Sequence, residues 1–159
     1  MATKRETGEA ATLRPLTVDD FKQVLTIDSK LSGNWRQGFY SKRLAAALER
    51  PSDFIYVGIE LDGDLAGFAF AQLLRGEFGG SGTVAVLDAI GVDPDHDHEG
   101  LGQALMDGLI DVMRQKDVHE LRTQVDWRND KLLHFLAANG FETAPRLVLE
   151  RDTAEPLSA

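Results

Sequence analysis

Two glycines one residue apart, Gly100 and Gly102, sit in the segment VDPDHDHEGLGQAL, after a strand-like run and at the head of a helix-like one. Glycine lets a backbone approach a ligand closely, and the first turn of a helix leaves N–H groups without intrahelical acceptors. Together these make a cradle for an anion such as a pyrophosphate. Two better-known phosphate grips do not fit. No Lys followed by Ser or Thr comes after the glycines, and the third glycine of a dinucleotide fingerprint is absent. A GxG turn alone also joins strands to helices in folds that bind nothing. His96 and His98 stand among Asp93, Asp95, Asp97 and Glu99, which invites a metal reading. The spacing is too crowded for tetrahedral zinc, and such ligands would compete with the helix start. The expectation is a solvated polar turn and no metal.

The elements that must hold this segment can be read from periodicity and punctuation. Leu13 to Leu16 reads as a short strand, after which Thr17 stands as N-cap with Asp20 three residues on, a variant capping box. The helix so begun turns Val18, Phe21, Val24, Leu25 and Leu31 inward. A second helix runs from about Arg36 to Glu49 and is stopped by Pro51. The period then changes: FIYVGIELDGDLAGFAFAQL is two β-rich runs about Asp62 and Gly63, a hairpin. A loop of small residues, Arg75 to Gly82, leads to TVAVLDAIGV, apolar on both faces as a central strand must be. Beyond Pro94, residues Leu101, Ala104, Leu105, Leu109, Val112 and Met113 form one helical stripe. Glu120 to Val125 reads as a strand, Asn129 to Ala138 as a helix stopped by Asn139 and Gly140, and Arg146 to Glu150 as a last strand. Strands that are first consecutive and then alternate with helices imply an α/β (α+β) chain with a mixed sheet.

Composition narrows the function classes. A chain of 159 residues with 43% hydrophobic content suits one domain, residues 1–159, with frayed tails at 1–10 and 153–159. The net charge of -9 argues against a general nucleic-acid partner, which would need clustered Lys and Arg. The absence of cysteine excludes disulfides, thiolate metal sites and a cysteine nucleophile. No apolar run approaches membrane-spanning length, and the N-terminus lacks the apolar stretch of a signal peptide. A cytoplasmic protein without a membrane partner is expected.

The glycine segment resembles the signature of the GCN5-related N-acetyltransferases. There a strand ending in Val-Asp-Pro leads into Gln or Arg, two variable residues, Gly, any residue, and Gly or Ala. In this chain that reads Val92, Asp93, Pro94, then Asp97, His98, Glu99, Gly100, Leu101, Gly102. The hairpin before it, and Asn129 followed by a helix ending in Asn139, Gly140 and Phe141, sit at the family's order and spacing, so the likeness covers Leu13 to Glu150. It implies a mostly antiparallel sheet splayed at the cofactor strand and flanked by helices, acetyl-CoA as acyl donor, and direct attack by an amine on the thioester. Carried over by position, Ile90, Gly91 and Val92 would offer main-chain groups to the pantetheine arm. His98, Glu99, Gly100, Leu101, Gly102 and Gln103 would wrap the pyrophosphate with backbone N–H groups. Asn129 matches a position that often contacts the cofactor, and it equally suits the N-cap of the last helix.

The departures from the family bear on catalysis. Asp97 replaces the usual Gln or Arg, the wrong charge beside a pyrophosphate unless the cradle is made by main chain alone. Leu136 stands where many members carry a Tyr acid, and Gln124 where some carry a Glu base. The remaining candidate base is Asp88, on the central strand just before the cofactor edge; it also reads as a buried carboxylate bonded to a neighbouring element. Asp126 is the runner-up. The family places the acceptor near the early helices and the hairpin, where Asn34, Trp35, Phe39 and Tyr40 form either a cleft wall or core. Phe78, in the glycine-rich loop, reads as part of a lid or as core. The implied partner is a small-molecule or peptide amine, with a homodimer compatible with an exposed sheet edge. An acyl-CoA-binding or sensing protein on the same fold is the alternative.

Overall fold

The computed structural model describes residues 11–76, 79–80, 82–96 and 100–154. Readings made above for 1–10, Phe78, Asp97, His98, Glu99 and 155–159 lie outside the described residues. Chain contacts divide it into two compact units, 1–124 and 125–159.

The first unit is built on a five-stranded sheet in the order β1-β2-β3-β4-β5. Its strands are β1 (Ala11–Pro15), β2 (Phe54–Leu61), β3 (Asp64–Arg75), β4 (Thr83–Val92) and β5 (Leu121–Arg122). The first three pairings are antiparallel and the last, β4 with β5, is parallel. The mixed sheet is therefore mostly antiparallel, as the family likeness implied. At the hairpin between β2 and β3, Asp62 (φ 53°) and Gly63 (φ 86°) both take left-handed backbone, the geometry that matches strand twist in a two-residue turn.

Register assigns the helices to faces. Leu13, Ile59, Gly67 and Val92 lie opposite one another across β1 to β4 and so share a face. A side-chain carbon built on Gly108 of α3 (Leu101–Gln115) would lie 2.5 Å from Leu13 Cδ1, so α3 packs on that face. Gly58, Phe68 and Gly91 share the other face. There Leu31 of α1 (Phe21–Ser32) reaches Gly91, and Tyr40 of α2 (Gln37–Glu49) meets Phe68 and Phe70 edge-on. The core on this side gathers Val24, Leu25, Ile27, Tyr40, Leu65, Phe68 and Phe70.

Thr17 and Asp20 do start a helical segment, and Asp20 accepts from the Thr17 N–H at 2.8 Å. The first turn, Val18–Asp20, is a 3-10 turn, and α1 proper begins at Phe21. That shift in phase explains why Val18 is half exposed while Ile27 is fully buried. Arg14 joins Asp20 to Glu60 across the strand end, and its guanidinium holds the Asp20 carboxyl below the usual carboxylate range. No described helix is long and apolar enough to cross a membrane.

The second unit contains α4 (Asp130–Ala138). It ends in two reversed bonds, Phe141 N–H to Leu136 O at 3.1 Å and Gly140 N–H to Ala137 O at 3.1 Å, closed by Gly140 at φ 85°. The left-handed residue is Gly140 alone, since Asn139 keeps φ -99°. Two strand readings are corrected. Of Glu120 to Val125 only Leu121–Arg122 pairs, and Arg146 to Glu150 forms no strand, with Leu147 and Leu149 more than 80% exposed. Apolar content permits a strand, but a strand exists only where a ladder partner satisfies its backbone.

Candidate active site

The site is set by an irregularity in β4. Phe70 of β3 pairs with Ala89, but the next residue, Ala71, pairs with Leu87, so Asp88 has no partner on β3. One extra residue in one strand of a pair is a β-bulge, which bends the strand and re-aims a side chain. Leu87, opposite Ala71, takes the α3 face; Ala89, opposite Phe70, takes the α1 and α2 face. Asp88 is directed to the latter, where Arg43 Nε of α2 lies 3.5 Å from its Oδ2. The carboxylate is mostly buried, and among the described residues it accepts no hydrogen bond. Burial raises its pKa, opposed by the charge of Arg43.

A second buried carboxylate, on α1, behaves differently. Asp28 of α1 is 4% exposed and saturated. Arg36 grips both of its oxygens, Tyr40 donates at 2.9 Å and Ser32 at 3.5 Å. This network ties α1 to α2. Burial and the adjacent Asp28 push the Tyr40 hydroxyl well above its ordinary pKa. Tyr40 is thus core, whereas Trp35 is exposed and Phe39 is partly buried beneath Arg43.

Beyond the bulge, β4 has no ladder partner on its β5 side among the described residues. Ala85 donates to Glu120 O at 2.9 Å and Thr123 Oγ1 donates to Leu87 O at 3.0 Å, but the β5 ladder stops at Arg122 while β4 runs on to Val92. Asp93 N–H donates to Ala66 O at 2.7 Å, on the β3 side. Main-chain direction alternates along a strand, so Gly91 also faces β3 while Ile90 and Val92 direct theirs to the open side. Of the three residues expected to offer main-chain groups there, Gly91 has a different duty. A side-chain carbon on it would come within 2.8 Å of Leu31 Cδ1 and 3.1 Å of Phe68 Cε1, so its smallness lets α1 lie against the strand.

The turn after the edge is locked by Asp93, a buried carboxylate that accepts from the Asp95 N–H at 3.1 Å and from Lys30 Nζ at 3.1 and 3.2 Å. Lys30 also reaches Asp95 at 3.2 Å. The Val-Asp-Pro of the motif is therefore a fastening between α1 and the approach to α3. Gly100 then adopts φ 73° as the N-cap of α3, and among the described residues no side chain caps the helix. The first intrahelical bond is Ala104 N–H to Gly100 O at 3.2 Å, which leaves the amides of Leu101, Gly102 and Gln103 ahead of it. The Gln103 side chain turns outward to Asp107 at 2.9 Å. These amides and the positive end of a fifteen-residue helix suit an anion.

Asp88, the edge at Ile90 and Val92, and the start of α3 all lie in the first unit. Asn129 lies in the second, where its side chain accepts from the Leu132 N–H at 3.2 Å as the N-cap of α4. Asp126, also in that unit, is exposed and bound by Arg128, which lowers its pKa; that is a poor setting for a base. Leu136 is buried and Gln124 exposed, and neither side chain carries a group that could give or take a proton. Among the described residues no group of His, Asp and Glu converges as a metal site. Arg43 was missed from the sequence. Its one local signal is Phe39 four residues earlier, placing ring and guanidinium on one helix face, 3.6 Å apart.

Comparison with known proteins gives the family and the fold. The chain is 33% identical over 91 residues to the ribosomal protein bS18-alanine N-acetyltransferase of Escherichia coli strain K12, covering 56% of this chain and 57% of that enzyme. It therefore spans little more than half the length of the curated relatives it matches first. It is 34% identical over 79 residues to a mycothiol acetyltransferase of Propionibacterium freudenreichii, covering 50% of this chain and 24% of that protein. Among solved structures, AAC(6')-Iy in complex with a CoA-containing bisubstrate analogue superposes with a TM-score of 0.74 at 18% identity, covering 90% of this chain and 98% of that one. The family model described as Acetyltransferase (GNAT) family matches residues 18–141, and the chain belongs to that family.

Proposed function

We propose that this chain transfers an acetyl group from acetyl-CoA to a primary amine by direct attack, with Asp88 as general base. The observation that carries the reading is the juxtaposition, along one strand, of a carboxylate at a bulge, an edge beyond it and a helix start, which among the described residues have no hydrogen-bond donor, no ladder partner and no side-chain cap respectively. The Leu101, Gly102 and Gln103 amides suit the pyrophosphate, since they bind anions without a charged side chain. Ile90 and Val92 suit the pantetheine arm and the oxyanion, because preorganised main-chain donors stabilise charge as it develops. The amine nitrogen bonds to the acetyl carbon, the carbon–sulfur bond breaks, and the ammonium proton passes to Asp88. Coenzyme A departs as a thiolate, a leaving group that tolerates the absence of a tyrosine acid at Leu136. His98 and Glu99 belong to the proposed wrap of the pyrophosphate by sequence position.

The test is steady-state release of free thiol across amines, peptides and polyamines, alongside calorimetry of acetyl-CoA binding. Leu136 and Gln124 favour a second reading, a protein that binds acyl-CoA without turnover; binding with no thiol release for any acceptor would establish it. Failure to bind any acyl-CoA would remove both. A related prediction concerns the fastening at Asp93. Lys30→Met is expected to raise the acetyl-CoA dissociation constant several-fold while turnover at saturation stays near wild type, because the lysine orders the approach to α3 and touches no reacting atom.

A further inference from the structure

We propose that Arg43 is a positioning residue that keeps the Asp88 carboxylate ionised while leaving both of its oxygens free to take a proton. The inference rests on the reading of Asp88 as base and goes beyond it. It follows from comparing the two buried carboxylates. Asp28 is held by Arg36 through hydrogen bonds that use both oxygens, and Tyr40 and Ser32 fill what remains. Such a group is committed to structure. Arg43 meets Asp88 otherwise: the closest approach is 3.5 Å, and its buried Nε makes no hydrogen bond. The guanidinium contributes its charge without occupying a lone pair.

Arg43 is fixed there by contacts other than the carboxylate. Its guanidinium lies over the Phe39 ring, and its main-chain carbonyl accepts from the Tyr56 hydroxyl at 3.0 Å, which fastens α2 to β2. The titratable groups that face Asp88 are Arg43 from α2 and Tyr56 from β2, while β3 opposes it with Phe70 and Ala71. Tyr56 cannot stand in for the cation. Burial, with Asp88 adding to it, pushes its hydroxyl up to about 12, so it stays neutral where the enzyme works. Arg43 is thus the one facing group among the described residues whose charge favours the ionised carboxylate against the desolvation that disfavours it.

The experiment is the pH dependence of kcat for wild type, Asp88→Asn, Arg43→Lys, Arg43→Gln and Arg43→Met. Wild type should lose activity on the acid side through one ionisation, and Asp88→Asn should lack that limb. Arg43→Gln and Arg43→Met should move the limb to higher pH, so that turnover falls several-fold on the slope and recovers on the alkaline plateau. Arg43→Lys should keep it near the wild-type position. A purely structural role would instead depress kcat at every pH. A limb unmoved in both neutral variants overturns the role of Arg43 and leaves Asp88 as base; a limb retained in Asp88→Asn overturns the base itself. Should the neutral variants fold poorly, NMR titration of the Asp88 carboxyl in wild type and Arg43→Lys decides. A carboxyl that stays at its wild-type titration point supports the role of the charge, and one that shifts upward as far as free burial would take it overturns that role.

Discussion

Asp88→Asn is expected to lower kcat by about 10²- to 10⁴-fold at neutral pH, the range that a positioned proton acceptor supplies, with acetyl-CoA affinity unchanged. The amide keeps the size and place of the side chain in the bulge and cannot take a proton. Binding is expected to be spared because the proposed anion cradle consists of main-chain amides at Leu101, Gly102 and Gln103, on a separate stretch of chain. The same substitution is expected to raise the melting temperature at neutral pH. Burial lifts the folded-state pKa of Asp88 above its unfolded value. The folded protein is then penalised once pH exceeds that folded pKa and is not penalised below the unfolded one. The stabilisation should therefore vanish as pH falls below the ordinary carboxylate range. Thermal melts of both proteins at several pH values, with thiol-release kinetics, check the pair of effects. A loss of activity accompanied by a loss of stability at pH 7 would mean that Asp88 holds the fold instead.

The second large effect is expected at Tyr40. Its ring is fully buried and meets Phe39, Phe68 and Phe70 at centroid distances of 4.9, 5.8 and 5.4 Å. Truncating an aromatic ring in such a cluster costs about 3–5 kcal/mol, through lost burial and the cavity left behind. Tyr40→Ala should accordingly lower the melting temperature by roughly 10 °C or more, the size expected for a domain of this length. Tyr40→Phe isolates the hydroxyl that donates to the Asp28 carboxylate and should cost about 1.5–3 kcal/mol, less than the ring. Urea denaturation of the two variants separates the ring from the hydroxyl. Equal losses would show that the Asp28 network, more than aromatic packing, joins α1 to α2.

What the sequence made legible was local. The Asp62-Gly63 turn demands left-handed backbone at both positions, and the stripe from Leu101 to Met113 has an unbroken helical period, so both elements lie where periodicity puts them. Thr17 with Asp20 announced a helix start to within one turn. What escaped is decided across strands or between elements. Nothing in TVAVLDAIGV marks Asp88 as the residue left over when β4 pairs with β3, because the bulge is a property of two strands together. Arg43 reads as one more charge on a helix until the fold brings β4 beneath it. The run Arg146 to Glu150 has the apolar content of a strand, but pairing is a fact about its neighbours. Of the candidate site, the glycine segment was readable by likeness to a family, and Asp88 only as the carboxylate left on the central strand once the family's acid and base positions read Leu136 and Gln124; its relation to Arg43 was not readable.

The surplus residue in β4 has a consequence for how this strand tolerates change. Deleting any one position between Thr83 and Leu87 would let the remainder slide into perfect register with β3, and Asp88 would then stand opposite Ala71, on the side of the sheet that belongs to α3. The shortened protein would have a straighter, more regular ladder and an inverted Asp88 side chain. If Asp88 is the base proposed, a regular ladder and its reactivity are opposed at this one position, and strand length here becomes a quantity on which activity depends.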